Sequence, residues 1–454
     1  MLPRHTLGRS LRQLASTPAV RNPALSRQLL RGISNSSTSR SSIRQSPDSD
    51  SVNFPGAVRS KFTSRFGFQS SEDTPALPTY RVLNPEGQFV NHDYDIDSLG
   101  MNQEFAVKLY QAMVKTNIMD KIMYDSQRQG RISFYMVSQG EEAIAVGSAA
   151  AMEDGDKVFA QYREQGSLMY RGYTLDEFMN QLFSNVNDYG KGRAMPVHYQ
   201  SEKLGLFPVS STLATQLPNA VGCAYGMKMD NLPNVVIGYF GEGAASEGDF
   251  HAALNMAATR SCPVLFICRN NGYAISTPTL EQYKGDGIAS RGVGYGVDTI
   301  RVDGNDILAV LEVTQKARDM AIKEHKPVLI EAMSYRVSHH STSDDSFAYR
   351  ARKDVEEWQR RDNPISRFRK FMEARGWWND DKENQFRVSA RKEVLKAFDK
   401  AEKAKKPAVR ELFADVMKNP CTDLAEQREE LRQIVETYPD EYNLDDFDQG
   451  VKGL

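Results

Sequence analysis

The chain has 454 residues, of which 40% are hydrophobic and 26% are charged. This balance is ordinary for a globular protein, so it excludes collagen-like and wholly disordered classes. No segment approaches the roughly 18 to 20 consecutive apolar residues that a membrane-spanning helix requires, so we expect no membrane span. The length exceeds what one hydrophobic core usually organises, which predicts one large domain with appendages.

The first 47 residues differ in composition from the rest of the chain. They contain eight arginines and many serines, whereas the first acidic residue is Asp48. An Arg-rich, Ser-rich leader without acidic residues resembles a mitochondrial presequence; a disordered basic tail is the alternative. We therefore interpret residues 1–47 as a presequence and expect the protein to be located in the mitochondrial matrix.

The charge and the cysteines of the remaining chain limit its partners and its compartment. The net charge is −2, so the part after the basic leader carries about −10 and offers no general attraction for nucleic acid. The chain has four cysteines, none of them in a Cys-x-x-Cys pair: Cys223, Cys262, Cys268 and Cys421. Free thiols in a reducing compartment fit this pattern, and the matrix is consistent with it.

Residues 48–100 are rich in Pro, Ser and Gly, and we interpret them as an extended arm with little regular structure. In the segment 101–350, helical patterns alternate with short apolar runs. The runs at 235–240 and 264–268 have the length of buried strands, and a helical pattern lies between them. Strand, helix and strand in succession predict an α/β domain, in which a parallel sheet carries helices on both faces.

The segment 351–454 is predicted to be a helical C-terminal region. It follows a polar, turn-prone stretch at 336–352. Asn363 as N-cap, Pro364 in the first turn and Gly376 after the end predict a helix over 364–375. A second amphipathic helix is indicated by apolar residues at every fourth position. These residues are Phe386, Ala390, Val394 and Phe398.

A Gly-rich segment, Gly-Glu-Gly-Ala-Ala-Ser-Glu-Gly, begins at Gly241, directly after the first apolar run. A strand that leads through such a turn into a helix is a typical anion site, because free backbone N–H groups point at the ligand. A Walker loop would need a Lys that is absent here. A dinucleotide fingerprint would need Gly or Ala in place of Ser246, and an acidic residue where Arg269-Asn270-Asn271 follows the second run.

A diphosphate bridged through magnesium is the third interpretation of this turn. Glu242 ends one predicted strand and Asn271 ends the next, so both would project at the same edge of a parallel sheet. A backbone carbonyl near Tyr273 would complete the protein ligands. Gly-Glu-Gly followed, after the 26 residues 244–269, by Asn270-Asn271 resembles the thiamin diphosphate motif, with Glu in place of the commoner Asp. An ordinary tight turn is the alternative.

From about residue 100 to the C-terminus, the chain resembles the alpha subunits of the branched-chain 2-oxo acid dehydrogenases. Four stretches carry this resemblance: Gln161-Tyr162-Arg163-Glu164, Gly241 to Asp249, Cys268 to Thr279, and His339 to Asp345. It implies a thiamin-diphosphate-binding α/β fold with a parallel sheet. It also implies oxidative decarboxylation of branched 2-oxo acids from Leu, Ile and Val catabolism, with transfer of the acyl group to lipoamide on a transacylase core.

The resemblance also implies the residues of the site, position by position. For thiamin diphosphate these are Gln161, Tyr162, Arg163, Ser211, Leu213, Gly243, Ala244, Arg269 and His340. For magnesium they are Glu242, Asn271 and Tyr273, and for potassium they are Ser210, Thr212, Thr215 and Gln216. The family commonly has Pro where Thr212 stands, but its ligand there is the backbone carbonyl. For 210–216, a simple N-cap of the following helix is the alternative.

His340 is the residue that the resemblance places at the reaction centre. Ser341 then matches a regulatory phosphorylation position, which implies a kinase and a phosphatase as possible partners. A phosphoryl group there would add nearly two negative charges beside the cofactor; an unmodified loop Ser is the alternative. Ala351 occupies the position of a second acceptor Ser in animal members of the family, so any control should be single-site.

The strand–helix pattern suffices for one cofactor-binding domain, whereas the family uses two. The resemblance implies that a beta subunit supplies the second domain, including the carboxylate beside the aminopyrimidine ring of the cofactor. We therefore expect an assembly of two alpha and two beta chains, in which the alpha chain alone is inactive.

Three other functions remain as alternatives. The pyruvate-specific relatives share the fold but typically have Asp at Glu242 and a different loop at 339–345. A scaffold that has lost the cofactor is disfavoured by the presence of Arg163, Glu242 and His340. A nicotinamide enzyme is disfavoured by Ser246 and Asn270.

Overall fold

The computed structural model describes residues 49–52, 60–414 and 417–454, so the predicted presequence at 1–47 lies outside the described residues. The chain divides into two compact units, 1–73 and 74–454. In the first unit, strand β1 (Ser51–Val52) pairs antiparallel with β2 (Ser60–Lys61). The second unit contains the main sheet and all of the helices described below.

The main sheet has six strands, and every neighbouring pair is parallel. Its strands are β3 (Thr79–Tyr80), β4 (Lys157–Phe159), β5 (Val236–Gly241), β6 (Val264–Asn270), β9 (Asp298–Asp303) and β10 (Val328–Met333), in the order β3-β9-β10-β6-β5-β4. A separate antiparallel hairpin consists of β7 (Tyr273–Ala274) and β8 (Thr277–Pro278). The two strands predicted at 235–240 and 264–268 are confirmed as β5 and β6, and the parallel sheet is confirmed with them.

The side chains of β6 alternate between two hydrophobic cores, one on each face of the sheet. Leu265 and Ile267 belong to the larger core, whereas Val264, Phe266 and Cys268 belong to the smaller one. All seven residues of the strand are buried. A parallel strand that is covered on both faces needs such a continuous apolar run, because neither face meets water.

Helices cover both faces, as predicted. The α-helices of the described residues are α1 (Gln103–Arg128), α2 (Glu142–Ala150), α3 (Gln165–Arg171), α4 (Leu175–Leu182), α5 (Gln216–Met229), α6 (Gly248–Arg260), α7 (Thr279–Gln282), α8 (Ala289–Gly294), α9 (Ile307–Glu324), α10 (Arg352–Arg361), α11 (Pro364–Ala374), α12 (Asp380–Glu402) and α13 (Thr422–Thr437). Helices α1, α2 and α9 contribute to the larger core, and α5 and α6 contribute to the smaller one. Within the described ranges, no helix combines the length and the apolar character that crossing a membrane requires.

The end of the predicted arm is part of the second unit. Thr79 and Tyr80 pair with Arg301 and Val302 of β9. The backbone N–H groups of Val82 and Leu83, just beyond this strand, donate to the buried carboxylate of Asp306 at 2.7 and 2.6 Å. These contacts between distant residues join the segment 79–83 to the second unit, which begins at Thr74. The composition of the arm suggested a boundary near residue 100.

The two helices predicted after the polar stretch are confirmed. Helix α11 begins at Pro364, and the side chain of Asn363 accepts a hydrogen bond from the backbone N–H of Ser366. Helix α12 buries Ala390, Val394 and Phe398 on one face, as the four-residue spacing predicted. Each helix therefore follows from local signals, namely a cap in the first case and an apolar stripe in the second.

Replacing Phe398 by Ala tests the packing of α12. The ring is 2% exposed and lies 4.9 Å from the ring of Phe183, centroid to centroid. Because the substitution leaves a cavity in the core, we expect the free energy of unfolding to fall by about 3 to 5 kcal/mol in chemical denaturation. The control is Val388→Ala in the same helix, where the side chain is 71% exposed and the loss should stay below about 0.5 kcal/mol. Equal losses in the two variants would contradict the packing described here.

Candidate active site

A cavity of about 570 Å³ lies at the carboxyl edge of β5 and β6. The register of these strands places Gly241 beside Arg269, so the segments that follow both strands meet at this edge. The cavity is lined by the residues predicted to contact the cofactor and magnesium. They are Gln161, Tyr162, Arg163, Ser211, Leu213, Glu242, Gly243, Ala244, Arg269, Asn271, Tyr273 and His340, and Ser341 lies beside them.

Glu242 directly follows β5 and is 1% exposed. Its Oε2 atom accepts a long hydrogen bond of 3.4 Å from the backbone N–H of Asn271, and its Oε1 atom is buried without a partner. Burial raises the pKa of this carboxyl to about 7. A buried carboxylate oxygen without a donor is a group that a cation would satisfy, so the residue fits a metal site.

The residue after Glu242 has to be a glycine. A Cβ atom on Gly243 would lie 2.7 Å from the Cβ of Ala274 in β7, closer than side chains pack. Gly243 also opens the short 3-10 helix Ala244–Ser246, which precedes α6. The backbone therefore turns tightly at the edge of the cavity, where Gly243 and Ala244 are lining residues.

Arg269, the next to last residue of β6, is 1% exposed and lies between two buried carboxylates. Its Nε atom donates to Glu164 and its Nη1 atom to Glu141, both at 2.6 Å. Nη2 donates to the side-chain oxygen of Gln161 at 3.1 Å. Burial opposes the ionisation of Glu141, but the charges of Arg269 and Arg163 hold the pKa of this carboxyl below its usual value. Arg269, which was predicted to contact the cofactor, therefore also forms ion pairs with two carboxylates of the site.

Asn271 and Tyr273 follow β6 across Gly272, whose φ of +87° favours glycine. The side-chain nitrogen of Asn271 donates to Glu141 at 2.6 Å, and its side-chain oxygen accepts from the backbone N–H of Tyr273 at 3.3 Å. This arrangement leaves one lone pair of the Asn271 oxygen free. The carboxylate of Glu242 and this amide oxygen are suitable ligands for magnesium.

Two further buried arginines have no carboxylate partner within the described ranges: Arg163 lines the cavity, and Arg336 packs over the ring of Tyr273, a lining residue. Arg163 and Arg336 are each 1% exposed, and neither forms an ion pair within the described part of the chain. Arg163 donates to the carbonyl oxygens of Val137 and His340 instead. Burial and the neighbouring charge of Arg163 lower the pKa of Arg336. Because an unpaired buried charge is costly, Arg163 favours an anionic ligand in the cavity.

His340 is neutral, and its environment determines which ring nitrogen carries the proton. Nη2 of Arg163 lies 3.3 Å from Nδ1 of the ring, and a guanidinium can only donate, so Nδ1 accepts and Nε2 holds the proton. Burial, followed by the charges of Arg163 and Arg336, lowers the pKa of His340 to about 3. The ring can therefore donate one hydrogen bond from Nε2 without carrying a charge.

The residues predicted for potassium lie on the loop before α5 and at the first residue of that helix, Gln216, outside the cavity lining. The hydroxyl oxygens of Ser210 and Thr215 are 3.1 Å apart, and the Thr215 hydroxyl donates to the carbonyl of Thr212 at 2.8 Å. Gln216 donates to the carbonyl of Tyr239, which leaves its side-chain oxygen buried without a partner. Thr215 is the N-cap residue but makes no side-chain cap hydrogen bond, so capping does not explain its side chain. Neutral oxygens of this kind fit a monovalent cation.

Three side chains of the site were not identified from the sequence. Glu141 lies behind the cavity, while Arg336 packs over the ring of Tyr273. His198 lines the cavity, and its Nε2 atom is hydrogen bonded to the hydroxyl of Ser211. The pair Glu141-Glu142 before an apolar helix was a weak signal for a buried carboxylate. For His198 and Arg336 we find no sequence signal, because their roles depend on contacts between distant segments.

The donor set matches a diphosphate with its divalent cation. Among the residues that the structure describes, Arg163 supplies positive charge without a carboxylate partner, whereas Glu242 supplies an oxygen without a partner. An anion alone would leave Glu242 unsatisfied, and a cation alone would leave Arg163 unpaired. A ligand that carries both charges satisfies both groups.

Comparisons with known proteins agree with this geometry. The family model described as "Dehydrogenase E1 component" matches residues 110–410. The chain is 50% identical over 426 residues to the mitochondrial 2-oxoisovalerate dehydrogenase subunit alpha of Mus musculus, covering 94% of this chain and 96% of that protein. It is 51% identical over 394 residues to the corresponding subunit alpha 2 of Arabidopsis thaliana, covering 87% and 83%. The subunit of Dictyostelium discoideum is 53% identical over 372 residues, covering 82% and 84%.

The neutral state of His340 can be tested directly. We expect its imidazole to stay uncharged from about pH 8 to about pH 5, because burial and two arginines disfavour a further positive charge. The measurement is an NMR titration of ¹³C-labelled histidine, with His340→Gln to assign the signal. Arg163→Gln should raise the pKa toward its ordinary value of 6.5. Titration of the unmodified protein near pH 6.5 would contradict this description.

The same pKa shift has a defined sign for stability. Between about pH 3 and pH 6.5, the imidazole of His340 binds a proton in the unfolded chain but not in the folded chain. The contribution of His340 to the free energy of unfolding is therefore intact above about pH 6.5 and is lost as the pH falls toward 3. His340→Gln should make stability less dependent on pH in this window.

Proposed function

Because the chain belongs to the dehydrogenase E1 component family, we propose that it is the alpha subunit of a mitochondrial 2-oxo acid dehydrogenase that decarboxylates branched 2-oxo acids such as 2-oxoisovalerate. The single observation that carries the proposal is the cavity at the carboxyl edge of β5 and β6, which collects the predicted cofactor residues. The likeness to relatives named for 2-oxoisovalerate, over 94% of the chain for the mouse protein, supports the substrate class.

The cofactor of this family is thiamin diphosphate, which supplies an electron sink for the decarboxylation of a 2-oxo acid when it is bound. In our proposal, Arg163 and the turn at Gly243 hold the diphosphate. Magnesium is held by the carboxylate of Glu242, the side-chain oxygen of Asn271 and the carbonyl of Tyr273. The unpartnered oxygen of Glu242 and the free lone pair of Asn271 support this assignment. Potassium is proposed for the neutral oxygens of the 210–216 loop.

His340 is proposed as the catalytic residue of this chain. A neutral ring with its proton on Nε2 can donate a hydrogen bond to an oxygen atom on which negative charge develops, without adding a charge to the cavity. The contacts with Arg163 and the backbone bond to Asp344, at 2.7 Å, hold the ring and its loop in place. The positive charge of Arg163 and Arg336 also favours entry of the anionic substrate.

A beta subunit completes the enzyme in this proposal. The sheet of this chain forms one domain of the thiamin-diphosphate-binding type, and the carboxylate that activates the aminopyrimidine ring is assigned to the partner. We propose an assembly of two alpha and two beta chains, which passes the acyl group to lipoamide on a transacylase core.

The decisive experiment compares decarboxylation of 2-oxoisovalerate and pyruvate by the chain co-expressed with its beta partner. We expect turnover that favours 2-oxoisovalerate and depends on thiamin diphosphate and magnesium, because the cavity then holds its charged ligand. The alpha chain alone is the control and should be inactive. A preference for pyruvate would change the substrate class, and failure to bind the cofactor would support a non-catalytic scaffold.

Ser341 is proposed as a regulatory phosphorylation site, under the control of a kinase and a phosphatase. Its side chain lies at the cavity next to His340 and is only 8% exposed, so the loop has to move to present it. We expect Ser341→Glu to lower kcat at least tenfold, because a carboxylate there repels the anionic cofactor and substrate. Ser341→Ala is the control and should retain activity. Unchanged turnover of the Glu variant would argue against regulation at this position.

A further inference from the structure

We infer that Glu141 is a positioning residue that fixes the side-chain amide of Asn271, so that the amide oxygen rather than the nitrogen faces the magnesium site. The inference rests on the proposed function, because it concerns the metal that accompanies the cofactor. It adds a residue to which neither the sequence motifs nor the proposed ligand set assigns a role.

The carboxylate of Glu141 is shared by two donors. Its Oε1 atom accepts from Nδ2 of Asn271 and its Oε2 atom accepts from Nη1 of Arg269, both at 2.6 Å. Glu141 is 1% exposed and Asn271 is 5% exposed, so water does not compete for these contacts. Each carboxylate oxygen of Glu141 therefore accepts a hydrogen bond from one residue of the site.

The chemistry of the three groups determines the orientation of the amide. A guanidinium only donates, so the ion pair with Arg269 requires an ionised carboxylate, which only accepts. The amide group of Asn271 that faces Glu141 must therefore be its nitrogen. A flipped amide would place two oxygen atoms 2.6 Å apart, without a proton between them.

The consequence for metal binding follows from the geometry of an amide. With the nitrogen held by Glu141, the oxygen of Asn271 lies on the other side of the amide, where it accepts from the backbone N–H of Tyr273. The backbone N–H of Asn271 itself donates to Glu242. Magnesium accepts oxygen ligands and not amide N–H groups. Residues that orient a metal ligand from behind typically change metal affinity by about 10- to 100-fold when they are altered.

Glu141→Gln tests this role at nearly constant shape. A glutamine offers one oxygen and one N–H₂ group to two donors, so either Arg269 or Asn271 loses its acceptor. We expect the Kd for Mn²⁺, measured by electron paramagnetic resonance at saturating thiamin diphosphate, to rise about tenfold or more. The protein is the chain assembled with its beta partner.

Glu142→Gln is the matched control. Glu142 is also 1% exposed and also accepts from two donors, the backbone N–H of Gly140 at 2.8 Å and the amide of Asn117 at 3.0 Å. It makes no hydrogen bond or ion pair with Arg269 or Asn271 in the described structure. We expect a comparable shift of the thermal unfolding midpoint in both variants, but an Mn²⁺ Kd within about twofold of the unmodified protein for Glu142→Gln.

The double variant Glu141→Gln with Asn271→Asp provides a rescue. The introduced glutamine can accept from Arg269 with its oxygen and donate with its nitrogen to the introduced aspartate, whose second oxygen then faces the metal. The total charge is unchanged. Asn271→Asp alone should be impaired, because it places two carboxylates against each other. We expect the double variant to bind Mn²⁺ within about threefold of the unmodified protein, a coupling that mere destabilisation would not produce.

The outcomes separate this inference from the proposed function. Failure of the unmodified protein to bind Mn²⁺ and thiamin diphosphate overturns the proposed function. Binding by the unmodified protein with an equal Kd in Glu141→Gln overturns only the positioning role. If Glu141→Gln does not fold, the double variant decides, because absence of rescue in a folded double variant contradicts the inference.

Discussion

The buried guanidinium of Arg269 is the interaction on which the site depends. A charge with 1% exposure is tolerated only when it is paired and hydrogen bonded, and this one contacts Glu141, Glu164 and Gln161. Each partner in turn holds another part of the site. Glu164 accepts the backbone N–H groups of residues 161–163 at 2.9 to 3.0 Å, and Gln161 accepts that of Gly241 at 2.6 Å. Removal of this one cation would leave the buried carboxylates of Glu141 and Glu164 without their ion-pair partner.

The residual charges around this network determine which ligand the cavity accepts. Arg163 and Arg336 remain without carboxylates in the described part of the chain, and Glu242 keeps an oxygen without a donor. Such groups reduce the stability of the folded chain, because their water is lost without full replacement. A ligand that combines a diphosphate with a divalent cation reverses this cost. These groups are in place before the ligand binds. His340 has a lowered pKa because it is buried and, after that, because Arg163 and Arg336 lie near it.

Much of the fold could be predicted from the sequence, because its signals are local. The apolar runs that became β5 and β6, the cap at Asn363 and the stripe that ends at Phe398 each lie within a few turns of the chain. The start of the second compact unit could not be predicted in the same way. Thr79 and Tyr80 join the sheet through β9, and Val82 and Leu83 are held by Asp306, more than 220 positions away in the sequence. Composition cannot indicate such a pairing.

The sequence by itself determined the class of the sheet and the position of the Gly-rich turn, and its resemblance to a known family supplied the candidate residues for the cofactor and for magnesium. The sheet and the turn could be predicted because a parallel strand and a tight turn each require particular residue types at short spacing. Only the tertiary structure showed that the pKa of His340 is lowered, that Arg163 has no carboxylate partner among the described residues, and that Glu141 contacts Asn271. Those properties depend on burial and on distances between segments that lie far apart in the sequence, and Coulombic and hydrogen-bond energies are set by distance in space.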